Sequence, residues 1–276
     1  MRIAYFGIDM FYPCLETLIK DGHDIICIFT QTYSNEEYDA ARKVKSCAAT
    51  QNIPVHLQPP TRTDIEALFE QDCDMVLCAG YKYKIPDWRD GSIKYAVNIH
   101  PSLLPVGGGR IPLPLAITKG CKETGVTLHQ ISSDWDAGDI LLQKRIPLSQ
   151  SDILDSLLEQ AQKDSVLLMR QFLENPNDYW QKATPQNPDD IEYWPMPEAG
   201  HFAADFTKNV NEVEKYLRAH RFTHPNGDIE YIDNVHFDIT EHTYEPGTVL
   251  SEDNDTFSIA VADGILSFTV CLRSNT

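Results

Sequence analysis

The sequence predicts an α/β protein: a mostly parallel sheet covered by helices on both faces, followed by a smaller C-terminal part. Three observations carry this. Short apolar runs alternate with helix-period segments over the first hundred residues. Those runs are continuous rather than alternating, as in strands buried on both faces. From Gly125 onward the pattern changes to two strand-like segments, a long helix and a proline-rich stretch.

Arg2–Gly7 (RIAYFG) reads as a buried strand ending at glycine, and Met10–Lys20 as a helix with Leu15, Leu18 and Ile19 on one face. Gly22 stops that helix before a strand at Asp24–Thr30. A charged helix over Asn35–Gln51, a strand at Pro54–Gln58 and a helix at Thr63–Gln71 follow. Met75–Ala79 and Tyr95–Ile99 are two more buried strands, so the alternation implies right-handed βαβ units. Gly125–Ser132 and Asp139–Pro147 are strand-like, joined by a short acidic loop, and Ile153–Glu174 is a long helix. Asn175–Pro197 has five prolines and reads as a linker over the surface. One amphipathic helix, Val210–Ala219, and short strand-like pieces reaching Val270 complete the chain. The expected division is 1–175 for the main domain, 176–200 for the linker and 201–276 for a small subdomain.

The 276 residues are 42% apolar and 23% charged, an ordinary soluble composition with enough apolar side chains for a sizeable core. A net charge of −18 opposes broad contact with nucleic-acid phosphates and gives no attraction to anionic membranes. Seven scattered cysteines form no C-x-x-C pair, and the N-terminus runs straight into a strand. No apolar run approaches the roughly 18 residues that span a bilayer. These features place the chain in the cytoplasm with reduced thiols.

Chemistry concentrates in NIHPSLLPVGGGR, Asn98–Arg110. In an open parallel sheet, ligands bind at the carboxyl ends of strands, and Asn98 and His100 occupy such an end. Two residues apart on an extended segment, their side chains point the same way, so an amide and an imidazole can converge on one oxygen. Pro101 and Pro105 stiffen the exit, and Gly107–Gly109 permit close backbone approach. Downstream, SSDWDAGD offers Asp134, Asp136 and Asp139, which chemistry alone does not rank. A carboxylate beside His100 would orient the imidazole for acid–base work. The alternative for both stretches is a satisfied turn and a solvated hairpin end.

NIHPSLLP, followed after a helix by ETGVTLHQISSDWDAGDILLQ, resembles the formyltransferases that use 10-formyltetrahydrofolate. These include glycinamide ribonucleotide formyltransferase, methionyl-tRNA formyltransferase and the sugar-nucleotide N-formyltransferases. The resemblance runs from the first strand to about residue 175 and is densest over residues 95–143. More weakly, WPMPEAGHFAADFTKNVNEVEKYLRA and EPGTVL resemble a shortened form of the small barrel-like domain of the tRNA and sugar enzymes. It implies a Rossmann-like, mostly parallel sheet with a small C-terminal α+β or barrel-like subdomain. It also implies a catalytic trio of Asn98, His100 and Asp136, with a primary amine attacking the formyl carbon. Asn98 and protonated His100 would stabilise the oxygen, and Asp136 would hold His100 and help move the amine proton. Ser102 reads as a support for the turn, since direct attack needs no acyl-enzyme.

The resemblance places the folate against main-chain groups of Tyr83, Lys84 and Ile85 and of Ile131, Ser132, Ser133 and Asp134. The acceptor side falls to Asp9, Met10, Gly108, Gly109 and Arg110. The family pattern SLLP-x-[YWF]-[RK]-G is here Val106-Gly107-Gly108-Gly109-Arg110, which leaves the shape of the acceptor pocket open. No metal is implied: His220 and His224 have i, i+4 spacing, but Pro225 falls where a helix should end. GIDMFY lacks G-x-G-x-x-G, so a dinucleotide fingerprint is absent. Trp194 reads as an anchor for the linker on the main domain.

Three acceptors compete. Residues 177–276 carry six Lys and Arg against eighteen Asp and Glu, a net charge of −12 that repels an RNA backbone and disfavours methionyl-tRNA. Glycinamide ribonucleotide enzymes resemble only the first part of the chain, so a small amine remains: an amino sugar nucleotide is the expected acceptor, with methionyl-tRNA or a hydroxyornithine-type amino acid the alternatives. A non-catalytic folate-binding relative is the reading from a different class, against which the intact trio argues. Short C-terminal hairpins and helices are also compatible with a homodimer.

Overall fold

The computed structural model describes residues 1–31, 39–89, 91–196, 204–220, 222–223, 229–253 and 256–271. Strands β1 (Arg2–Gly7), β2 (Asp24–Phe29), β3 (Val55–His56), β4 (Met75–Ala79) and β5 (Tyr95–His100) pair in parallel in the order β3-β2-β1-β4-β5. β7 (Glu123–Gln130) joins β5 antiparallel, and β8 (Ile140–Pro147) closes the seven-stranded sheet. The sheet is thus α/β and mostly parallel, and β1, β2 and β4 read as unbroken apolar runs because both of their faces are covered. One apolar cluster joins Phe6, Phe29, Ile65, Val76 and Trp88.

Helix ends depart from the sequence reading for local reasons. α1 (Tyr12–Lys20) starts two residues after Met10: Asp9–Phe11 form a 3₁₀ turn, and Pro13 fits the first helical turn, where its missing N–H costs nothing. α2 covers Arg42–Gln51; residues 39–41 are not helical, and the expected start at Asn35 lies outside the described residues. α3 (Arg62–Glu70) opens with a capping box, Thr61 and Asp64 each accepting from the other's main chain. α5 spans Leu154–Glu174.

The glycine-rich exit is not bare loop. Val106–Gly108 form β6, paired in parallel with β9 (Glu192–Tyr193). The supposed surface linker therefore carries structure: α6 (Pro176–Gln181), a 3₁₀ turn at Pro188–Asp190, and β9. Trp180 of α6 packs edge-on to Tyr95 and Trp88 with ring centroids 5.5 and 6.0 Å apart.

The chain divides into two compact units that interleave along the sequence, whereas the sequence reading cuts it in series at 175 and 200. The first holds Met1–Arg110, Gly125–Ile146 and Glu159–Tyr193. The second holds Ile111–Thr124, Pro147–Leu158 and Trp194–Thr276. In it α7 (Val210–Ala219), capped by Asn209, packs Val210, Val213 and Leu217 against Phe257, Ile259 and Phe268. Its described strands form a five-stranded antiparallel sheet, β10-β11-β14-β13-β12: Phe222–Thr223, Ile229–Asp238, Gly264–Cys271, Thr256–Val261 and Val249–Asp253. Trp194 belongs to this second unit and is buried, with the Lys119 ammonium 5.2 Å above its ring. No described helix is long and apolar enough to cross a membrane.

Candidate active site

β5 ends in the middle of the sheet, between a parallel and an antiparallel neighbour, and delivers Asn98 and His100 to its carboxyl end. Register sets Asn98 opposite His129 of β7, and His100 opposite Thr127. His100 is buried, 5% exposed. Its Nε2 lies 3.0 Å from the Gly107 carbonyl and its Nδ1 3.4 Å from Asp136 Oδ1. Both ring nitrogens thus face acceptors.

Asp136 reaches this point through a strained turn. It is a non-glycine residue at φ +54°, a conformation costing about 1 kcal/mol. Its Oδ2 accepts the Gly109 N–H at 2.9 Å. The turn lies flat on the end of β7: a Cβ at Gly138 would stand 1.8 Å from the Gln130 carbonyl oxygen. Of the three acids that chemistry could not rank, Asp134 is exposed and Asp139 contributes a main-chain oxygen to Gln130 N–H. Only Asp136 faces His100.

His129 completes the cluster and was not among the residues singled out by sequence. Its Nδ1 donates to the Gln130 carbonyl at 2.8 Å, so its Nε2 is an acceptor for the Asn98 amide N–H at 2.9 Å. This contact fixes which end of the Asn98 amide is nitrogen. Asp136 Oδ1 stands 4.0 Å from the same Nε2. Burial, then the neighbouring His100, push the His129 imidazole down to about 4. The signal in the sequence was slight, because His129 sits in a strand, ETGVTLHQ, that already carries Thr124, Thr127 and Gln130.

That depressed value is a stability statement. An unfolded histidine titrates near 6.5, so between there and about 4 the unfolded chain holds one more proton than the native one. Native stability is complete above pH 6.5 and falls toward pH 4, by up to about 3 kcal/mol from this group. His129→Gln is expected to remove that component: the stability gap to the parent, read by urea unfolding at several pH values, narrows from pH 7 to pH 4.5. A gap independent of pH would refute a neutral buried His129.

The two loops assigned to the folate meet. Lys84 Nζ donates to the Ser133 carbonyl at 2.9 Å and lies 5.7 Å from the Trp135 ring centroid. Ser132 Oγ donates to the Asp134 carbonyl, while Tyr83, Ile85 and Ile131 pack partly buried against the same apolar cluster. On the acceptor side, Gly108 sits between Asp136 and the half-exposed Tyr193, and Arg110 is exposed. Asp9 is otherwise engaged: its carboxylate accepts the Lys43 and Val44 N–H groups at 2.9 Å, capping α2. Met10 offers its carbonyl to Gln162. Ser102 is buried, its carbonyl bonded by Thr127 Oγ1. Cys78, in register with Asn98, is buried and its thiol is pushed up to about 12, so it supplies no thiolate. Among the described residues no three His, Cys, Asp or Glu converge as a metal site, and His224 lies outside them.

The mostly parallel sheet gathers an amide, two imidazoles and a carboxylate at one strand's carboxyl end, the groups that acid–base and oxyanion chemistry use. Residues 1–172 match the model of the formyl transferase family, and the chain belongs to that family. The methionyl-tRNA formyltransferase of Delftia acidovorans is 29% identical over 297 aligned residues, 99% of this chain and 90% of that protein. Among solved structures, the N-formyltransferase of Helicobacter canadensis, in complex with folinic acid and dTDP-3-aminofucose, superposes with a TM-score of 0.68. It is 18% identical and covers 98% of this chain and 99% of its own. HypX of Aquifex aeolicus, in complex with tetrahydrofolic acid, superposes at 0.69 and is 21% identical. It covers 97% of this chain, which spans only 43% of HypX.

Proposed function

We propose that this formyltransferase moves the formyl group of 10-formyltetrahydrofolate to the primary amine of a nucleotide-linked amino sugar. The observation that carries the chemistry is the buried His100–Asp136 pair, with Asn98 held by His129 at the same strand end. An attacking amine pushes negative charge onto the formyl oxygen. The second N–H of Asn98 is one donor that receives it, and a His100 N–H joins it by turning from its present acceptor, the Gly107 carbonyl or the Asp136 carboxylate. Asp136 orients His100 and accepts the proton that the amine must lose before N10 of the folate departs with it.

The residues fit a folate edge. Residues 83–85 and 131–134 lie outside helices and strands; the Ile131 N–H is bonded to the Ala96 carbonyl, and the Ser133 and Asp134 carbonyls accept from Lys84 and Ser132. Ile85 and Ile131 add apolar contact, and the buried Tyr81 hydroxyl, whose ring packs edge-on against Tyr83, has no partner among the described residues. When bound, the folate supplies the activated one-carbon unit; the protein supplies the donors, the carboxylate and the exclusion of water.

The acceptor rests on charge. A net −12 over residues 177–276 favours a small amine over an RNA, and an amino sugar nucleotide is the ligand class of a relative sharing the fold over 98% of this chain. Methionyl-tRNA is the second reading, favoured by the 90% coverage of the Delftia acidovorans enzyme. The test is mass spectrometry of products from 10-formyltetrahydrofolate with a mixture of 3-amino and 4-amino nucleotide sugars, hydroxyornithine and methionyl-tRNA. A gain of one formyl group on a nucleotide sugar is expected. Formylation of methionyl-tRNA alone would overturn the acceptor assignment; no formylated product and no folate release would overturn the reaction.

A further inference from the structure

The turn carrying Asp136 is held from outside by a residue of the proline-rich stretch. Thr184 pairs with Ile140 through both main-chain bonds at 2.8 Å, as an isolated antiparallel bridge. That register sets residue 186 opposite residue 138. Gln186 is 9% exposed, and its amide N–H₂ donates to the carbonyls of Asp136, at 2.8 Å, and Gly138, at 2.7 Å. The reverse amide orientation would set its oxygen against two carbonyl oxygens. Its own Oε1 is buried without a partner among the described residues. An apolar side chain would fill this space without an orphaned oxygen, so the two N–H bonds are what the glutamine contributes there.

We propose that Gln186 is a positioning residue for formyl transfer, holding the left-handed turn so that Asp136 stays on Gly109 N–H and against His100. The inference rests on the trio proposed above. Asp136 is at φ +54°, and its carboxylate is reached by one main-chain donor, so the turn needs a clamp on its other side. Gln186 does not touch the reacting atoms; it acts through Asp136.

The test compares Gln186→Leu and Gln186→Glu with the parent, alone and combined with Asp136→Asn, in steady-state formyl transfer to whichever amine the product screen identifies. Gln186→Leu is expected to lower kcat tenfold or more with KM for both substrates within threefold, and to add no further loss in the Asp136→Asn background. Gln186→Glu, equal in volume but with oxygens facing both carbonyls, is expected to lower kcat at least as much. It serves as the readout if the leucine variant does not fold. A kcat within twofold of the parent, or an equal further loss in the Asp136→Asn background, overturns the proposal. A crystal structure of the leucine variant gives an answer that does not depend on the acceptor: the Asp136 carboxylate is expected to have left Gly109 N–H. A carboxylate still in place overturns the inference while leaving the formyl-transfer reading intact.

Discussion

Replacing His100 by alanine is expected to lower kcat for formyl transfer by about 100- to 1000-fold, with KM for the amine changing little. Removal of one preorganised donor to a developing oxyanion has that magnitude, and His100 also carries the acid–base partner of Asp136. The imidazole is preorganised on both edges, by the Gly107 carbonyl and the Asp136 carboxylate, in a setting only 5% open to solvent. Water entering the alanine cavity cannot reproduce a fixed donor. Steady-state kinetics with folding checked by circular dichroism would decide it, and a loss below tenfold would move the chemistry away from this strand end. A non-catalytic folate binder, by contrast, has no transfer rate to lose.

Gly138→Ala is expected to be the most damaging single methyl in the first unit. The added Cβ would lie 1.8 Å from the Gln130 carbonyl oxygen and 2.8 Å from its carbon, main-chain atoms with no rotamer to yield. Gln130 is itself tied to Asp139 and Ile131 to Ala96, so relief requires opening the end of β7. Overpacking in a core commonly costs 1–3 kcal/mol, and a clash with main chain belongs at about 3 kcal/mol or beyond. If the turn lifts instead, Asp136 leaves His100 and kcat falls. Denaturant unfolding together with kinetics covers both routes. Parent-like stability with turnover within twofold would show that the turn does not lie flat on Gln130.

These two residues also show what sequence could and could not disclose. His100 was legible as a candidate at a strand's carboxyl end; a satisfied turn competed with it, and the resemblance to the formyltransferases, not the local pattern, singled it out as catalytic. Gly138 was visible only as a turn residue; what makes it indispensable is a carbonyl of another strand end. His129 was hidden by its setting, since a polar side chain in a strand buried on both faces carries no periodic mark. Gln186 was further out of reach, in a stretch whose prolines read as linker, with partners that lie 48 and 50 residues away. Asp9, read as an acceptor contact, is a helix cap, because the main chain of α2 happens to start against it.

The sequence alone determined the α/β alternation, the strand whose end bears the amide and the imidazole, and the negative charge that weighs against nucleic acid. Those properties are local: burial periodicity, turn chemistry and charge need no knowledge of partners. Asp136 was picked from three acids by the resemblance; which way the Asn98 amide points, and that the stretch after residue 175 backs the Asp136 turn, were decided by tertiary structure. Each depends on a hydrogen bond between segments far apart in the chain, where register, not composition, chooses the partner.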